Sequence, residues 1–190
     1  MVITMNLRFI FALEIKKLQT IKTSFMRHFE NISQEELQTL ENAVSQIALL
    51  IAISDGNINH EETEWATKLV HIRTYSSSAT LRHFYEEVEA NFNIKLADLM
   101  KNTPKDTEPY KTVLFDKIAL INPILAKLDP YTAFDLYRSY LTLAKSVAKS
   151  SGGILGFWSI SKEEQKLIDL PMITPIARPD DFEEEEEEEA

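Results

Sequence analysis

The chain contains no cysteine, which excludes disulfides, thiolate zinc sites, iron–sulfur clusters and a cysteine nucleophile. Glycine is nearly as scarce. The four present are Gly56 and the close group Gly152, Gly153 and Gly156, and no proline precedes Pro104. So few interruptions in 190 residues, with almost no period-2 alternation, predict an all-helical chain. Long apolar runs are also missing. The longest, Ile47 to Ile53, falls far short of the roughly 20 residues that a bilayer-spanning helix needs. Neither a Gly-x-Ser-x-Gly elbow nor a phosphate loop occurs. The Gly152-Gly153 turn lacks the following Lys-Ser/Thr and the strand-to-helix setting of a phosphate cradle. No catalytic motif remains, so a non-enzymatic role is expected.

Charge is unevenly placed. Of a net −10, Asp180, Asp181 and Glu183 to Glu189 supply nine negatives, so the rest of the chain is near neutral. No strong field draws nucleic acid, and no Lys or Arg lies between Lys149 and Lys162 to interleave with aromatics. No nucleic-acid partner is expected. The opening MVITMNLRFIFALEIKK is apolar and then basic, the reverse of a secretory signal, and no small-residue cleavage site follows. Residues 1–28 therefore read as a basic, loosely attached leader. A cytoplasmic location is the expectation, and the leader's amphipathic character leaves open a peripheral contact with a membrane surface.

Residues 29–170 read as one compact domain of about six to seven helices. Ser33-Gln34-Glu35-Glu36 is a capping box, followed by Leu37, Leu40, Val44, Ile47 and Ala48 on one face. The ALLIAI stretch is apolar all round and so predicts a centrally buried half-helix, with Gly56 as its terminator. Asn59-His60-Glu61-Glu62 is a second capping box, opening a helix through about Arg73 with Trp65, Leu69 and Ile72 as its expected buried stripe. Leu81, Phe84, Tyr85, Val88 and Phe92 mark the next helix. A further helix carries Val113, Leu114, Ile118, Ile121 and Leu125, with a kink expected at Asn122-Pro123. Asp129-Pro130 is an N-cap followed by an N1 proline, heading Phe134, Tyr137, Leu141, Ala144 and Val147. Ser161-Lys162-Glu163-Glu164 is a third capping box. Residues 171–190, with three prolines and a glutamate run, read as a Pro-containing acidic disordered tail.

Two passages echo each other: apolar helix, glycine turn, isoleucine, capping residue, then paired glutamates. One runs Ser54-Asp55-Gly56-Asn57-Ile58-Asn59-His60-Glu61-Glu62; the other runs from Ser150 through Gly152-Gly153 to Glu163-Glu164. Pseudo-symmetric helical hairpins are the expected cause. The stretches ALLIAISDGNINHEETEWATKL and AKSSGGILGFWSISKEEQKLI resemble the two signatures of the TerB-like domains, named from tellurite-resistance operons. The resemblance covers about residues 29–170. It implies an all-helical fold of about seven helices, a divalent-metal site built from acidic residues, and a role in stress or tellurite response. By position, its acidic residues are Asp55, Glu61 and Glu62, with Glu163 and Glu164 from the second half. The second turn has no counterpart of Asp55.

The residues themselves leave two readings of the first turn open. Asp55, Asn59 and Glu62, completed by Glu163 or Glu164, offer the oxygens that a hard cation prefers; Ca²⁺, Mg²⁺, Mn²⁺ and Zn²⁺ are the candidates. An EF-hand proper is disfavoured, because its first and third positions would be Ile51 and Ile53. Alternatively, Gly56 ends one helix, Asn59 caps the next, and Glu61 and Glu62 complement that helix's positive end with no ligand. His60, Glu64 and His71 nearly share a helix face but lack the zinc-motif spacing, and His28 and His83 have no partner legible in the sequence. Phe157 and Trp158, on a glycine-rich segment, are candidate partner-binding residues. A metal-free helical adaptor that recruits a protein through them, or through the acidic tail, is the alternative function.

Overall fold

A computed structural model describes residues 28–54, 56, 58–150 and 166–179. The fold is all-α: among the described residues there are five long helices and one single turn, with no strand. They are α1 (Gln34–Ala52), α2 (His60–Ser76), α3 (Ala79–Lys101), α4 (Glu108–Ala119), the turn α5 (Asn122–Leu125) and α6 (Pro130–Ala148). The second glycine turn and the third capping box lie outside the described residues, so of the second expected hairpin the structure describes the first helix and only the end of the other.

Helix α1 is the axis around which the others pack, touching α2, α3, α4 and α6. Its C-terminal half explains why. Ala48, Leu49, Leu50, Ile51, Ala52 and Ile53 are all buried at 1% exposure or less, so this helix presents no solvent face there, as its all-round apolar sequence predicts. The Ser33 capping box forms in full: Glu36 N–H donates to Ser33 Oγ at 3.2 Å, and Ser33 N–H to Glu36 Oε2 at 2.9 Å. Helix α3 buries the expected Leu81, Phe84, Tyr85, Val88 and Phe92. Phe29 is buried as well and stacks on Phe84 at 6.1 Å between centroids. No helix of the described residues is long and apolar enough to cross a membrane.

Three expectations need correcting. In α2 the buried face is Glu62, Thr63, Ala66 and Val70, whereas Trp65 is 37% exposed and Leu69 and Ile72 are only half-buried. Side chains as small as Ala66 allow α2 to lie close on its neighbours, and the larger residues are displaced to its flank. In α6 the buried stripe includes Ala133, Leu136, Tyr140 and Leu143, one position from the expected Phe134, Tyr137 and Leu141, while Ala144 and Val147 are buried as anticipated. The kinked helix is two elements. Helix α4 ends at Ala119, and Pro123 sits in the first turn of α5, where its missing N–H costs nothing.

The start of the expected tail also behaves differently from an unattached segment. Asn122 clasps it: Asn122 Nδ2 donates to the Met172 carbonyl at 2.9 Å, and Thr174 N–H donates to Asn122 Oδ1 at 2.8 Å. Ile173, between those two residues, is buried at 2% exposure, and Met172 and Ile176 pack against the core. Leu170 turns the chain into this strap with φ +45°, a left-handed conformation that costs a non-glycine residue about 1–2 kcal/mol; its side chain is fully buried. Apolar Met172, Ile173 and Ile176 among the prolines make docking favourable.

Candidate functional site

The turn between α1 and α2 is built mainly by the backbone. Ser54 N–H donates to the Ile51 carbonyl at 2.9 Å and Gly56 N–H to that of Ile53 at 3.1 Å. Asn59 N–H reaches back to the Ala52 carbonyl at 2.8 Å, closing the loop. Gly56 has φ +97° with open space where a Cβ would stand, so torsion and not crowding calls for glycine here.

Asn59 is the N-cap of α2. Its Oδ1 accepts from Glu61 N–H at 3.0 Å and Glu62 N–H at 3.3 Å, engaging both lone pairs. Glu61 and His60 are exposed, and Glu62 is buried at 1% exposure in the first turn of α2. A lysine that the sequence did not single out also reaches this turn. Lys111 Nζ, from α4, donates to the Ser54 carbonyl at 2.6 Å and pairs with Glu108 Oε1 at 2.6 Å. Its ammonium complements the negative end of α1. Nothing in sequence spacing joins Lys111 to Ser54, 57 positions away.

Of the candidate site residues, the structure brings Asn59, Glu61 and Glu62 to one helix start. Asp55, Glu163, Glu164, Phe157 and Trp158 lie outside the described residues. Ile51 and Ile53 are fully buried, so no EF-hand loop can take ligands from those positions. Among the described residues no group of three or more His, Asp or Glu is arranged for a metal ion. His71 pairs with Glu89 of α3 at 2.6 Å. His83 pairs with Glu86 at 2.8 Å, and His28 Nδ1 lies 3.2 Å from Thr132 Oγ1 and 3.7 Å from Asp129.

Two further features were not apparent from the sequence. A mainly apolar cavity of about 520 Å³ opens between α2 and α3, lined by Trp65, Val70, Ile72 and Phe92 with Lys68 and His71 at its edge. On the other side of α2, Arg73 ties three helices together. Its guanidinium donates to Tyr85 Oη at 2.7 Å, to the Ser139 carbonyl at 2.8 Å and to Thr142 Oγ1 at 3.0 Å. It also lies 5.2 Å from the Tyr85 ring centroid, a cation–π distance. Asp135, Arg138, Ser139 and Thr142 recur at three- and four-residue spacing, a polar face on α6, but nothing in that spacing points to Arg73.

No family model matches the chain, and no curated protein or solved structure does.

Proposed function

We propose that this chain is a non-enzymatic, TerB-like helical domain whose first acidic turn takes a divalent cation through the carboxylates of Asp55 and Glu62. The observation that carries the reading is the burial of Glu62 at 1% exposure, seven residues from Asp55 and at the foot of the same turn. A carboxylate withdrawn from water needs its charge compensated. The positive end of α2 favours that charge, and the carboxylates of Glu62 and Asp55 are the donors that a hard cation takes. Asn59 is left out of the ligand set, because its oxygen already caps α2. A stress-response role is supported by the resemblance alone.

A different observation favours the metal-free adaptor. Lys111 already places an ammonium on the Ser54 carbonyl, and Asn59 already satisfies two amides, so these groups close the turn with no ion. On that reading the partner is a protein met by the Phe157–Trp158 segment or the acidic tail.

The deciding experiment is thermal unfolding after chelation, titrated with Ca²⁺, Mg²⁺, Mn²⁺ and Zn²⁺, on the full chain and on a chain ending at Pro179. The shorter chain removes loose binding by Glu183 to Glu189. A native-state site filled at about 100 times its Kd contributes about 2.7 kcal/mol, or roughly 5–10 °C for a protein of this size. One metal is expected to produce that rise in both chains, and Glu62→Gln or Asp55→Asn to abolish it. An unmoved midpoint with every metal rejects the cation site and leaves the adaptor.

A further inference from the structure

One cavity gathers positive charge without a matching set of carboxylates. About 440 Å³ in volume, it lies where the end of α2 meets the start of α3 and the polar face of α6. Arg73, Ser77, Ser78, Asp135, Arg138 and Thr142 are among its walls. Arg73 is half-buried, and its hydrogen bonds run to neutral oxygens of Tyr85, Ser139 and Thr142. Among the described residues, no ion pair is formed by either Arg73 or Arg138.

The start of α3 adds to this field. Ser78 is its N-cap, yet makes no side-chain cap bond to the helix, and the first turn holds no acidic residue. The Ser78 hydroxyl donates instead to Asp135 Oδ2 at 3.1 Å. The positive end of a 23-residue helix, without the usual side-chain acceptor, therefore lies at the rim of the cavity that Ser78 and Leu81 line. Asp135 is the cavity's one carboxylate, set against two guanidiniums and a helix dipole.

We propose that this cavity binds a phosphate group, free or as a small phosphate monoester. Arg138 supplies the exposed, bidentate donor and the Ser77 hydroxyl a neutral one; Arg73, held in place by its hydrogen bonds, and the dipole of α3 set the potential behind them. Asp135 holds the Ser78 hydroxyl and limits affinity by repulsion. Leu81 gives the cavity an apolar wall, against which the organic part of a monoester would lie. The proposal is independent of the acidic turn, with which it shares no residue.

The test uses the full chain, with inorganic phosphate titrated against chloride at matched ionic strength, because surface charge effects are screened by salt. Backbone amide shifts of Ser77, Ser78 and Leu81, which line the cavity, are the readout. Saturable shifts are expected with phosphate and not with chloride. Arg138→Ala, at an exposed position, is expected to weaken binding about tenfold, the scale of one charge-assisted hydrogen bond. Arg138→Lys restores part of it, and Asp135→Asn strengthens it several-fold. A repeat with glycerol phosphate separates the two sources: tighter binding than phosphate identifies the monoester, and equal binding the free anion. Shifts that are absent, non-saturable or unchanged in Arg138→Ala overturn the proposal.

Discussion

Gly56 and Asn59 stand three residues apart in one turn, and substitution separates what each contributes. Asn59→Ala removes the acceptor for two helix-start amides and is expected to lower stability by about 1 kcal/mol. Asn59→Asp, which keeps an oxygen acceptor, should be near neutral. Gly56→Ala meets no steric obstacle but must hold a left-handed φ, again costing about 1–2 kcal/mol. Urea unfolding checks all three. These roles were legible in the sequence, because capping and left-handed turns depend on residues adjacent along the chain. Glu62 shows where that legibility ends. A first-turn glutamate reads as a solvated partner of the helix dipole, and its burial is decided by the elements packed over it, which spacing does not reveal.

Among the elements, α6 begins with a cap whose charge gives it a pH signature. Burial pushes the Asp129 carboxyl up, but hydrogen bonds from the Thr132 side chain and amide, with His28 nearby, outweigh it and leave its pKa below the ordinary value. In the acid range the unfolded chain therefore binds more protons at this position than the folded one, so stability rises with pH there. Asp129's contribution is present in full above about pH 5 and is lost as the pH falls through its lowered folded value. Asp129→Asn keeps a capping oxygen and removes the titration. Its stability curve, followed by thermal midpoint between pH 6 and 2, is expected to be flatter than that of the parent chain. For α2 the test is steric. Ala66 is fully buried on the true packing face, so Ala66→Leu is expected to destabilise by about 1–3 kcal/mol through overpacking. Trp65→Phe, on the half-open flank, should cost less. The misplaced stripe had a simple cause. Counting large apolar residues finds Trp65, Leu69 and Ile72, whereas the packing face of α2 is Glu62, Thr63, Ala66 and Val70, with no large apolar side chain among them. In α1 the two criteria agree, and its burial was anticipated.

For the molecule as a whole, the strap from Leu170 to Ile176 closes the bundle against α5. Asn122→Ala removes both hydrogen bonds of the clasp while leaving α5 its proline-led first turn. Limited proteolysis near residues 171–176 should become faster, with the helical circular dichroism signal unchanged. Ile173→Asp, which places a charge in the core, is expected to have the same effect and to lower the thermal midpoint as well. Composition argued against such docking, since three prolines and a glutamate run suggest a chain with too little apolar surface to settle. The average concealed a local exception at Met172, Ile173 and Ile176. All-helical architecture, by contrast, was legible throughout, because it rests on what the chain has little of. The inter-helix joints made by Lys111 and Arg73 were not, since each reaches partners more than fifty residues away.

The clasp at Asn122 touches only main-chain atoms: one carbonyl and one amide, flanking a single apolar side chain. Its selectivity therefore concerns spacing and not residue identity. Position 174 is free to drift as long as it is not proline, while 172, 173 and 176 stay apolar to pack against the core. By the same logic, an unrelated extended peptide that offers carbonyl, apolar side chain and amide in that order, with apolar neighbours at the places of Met172 and Ile176, meets the requirements of the seat. Such a peptide, supplied in excess, would compete with the strap for the place it holds.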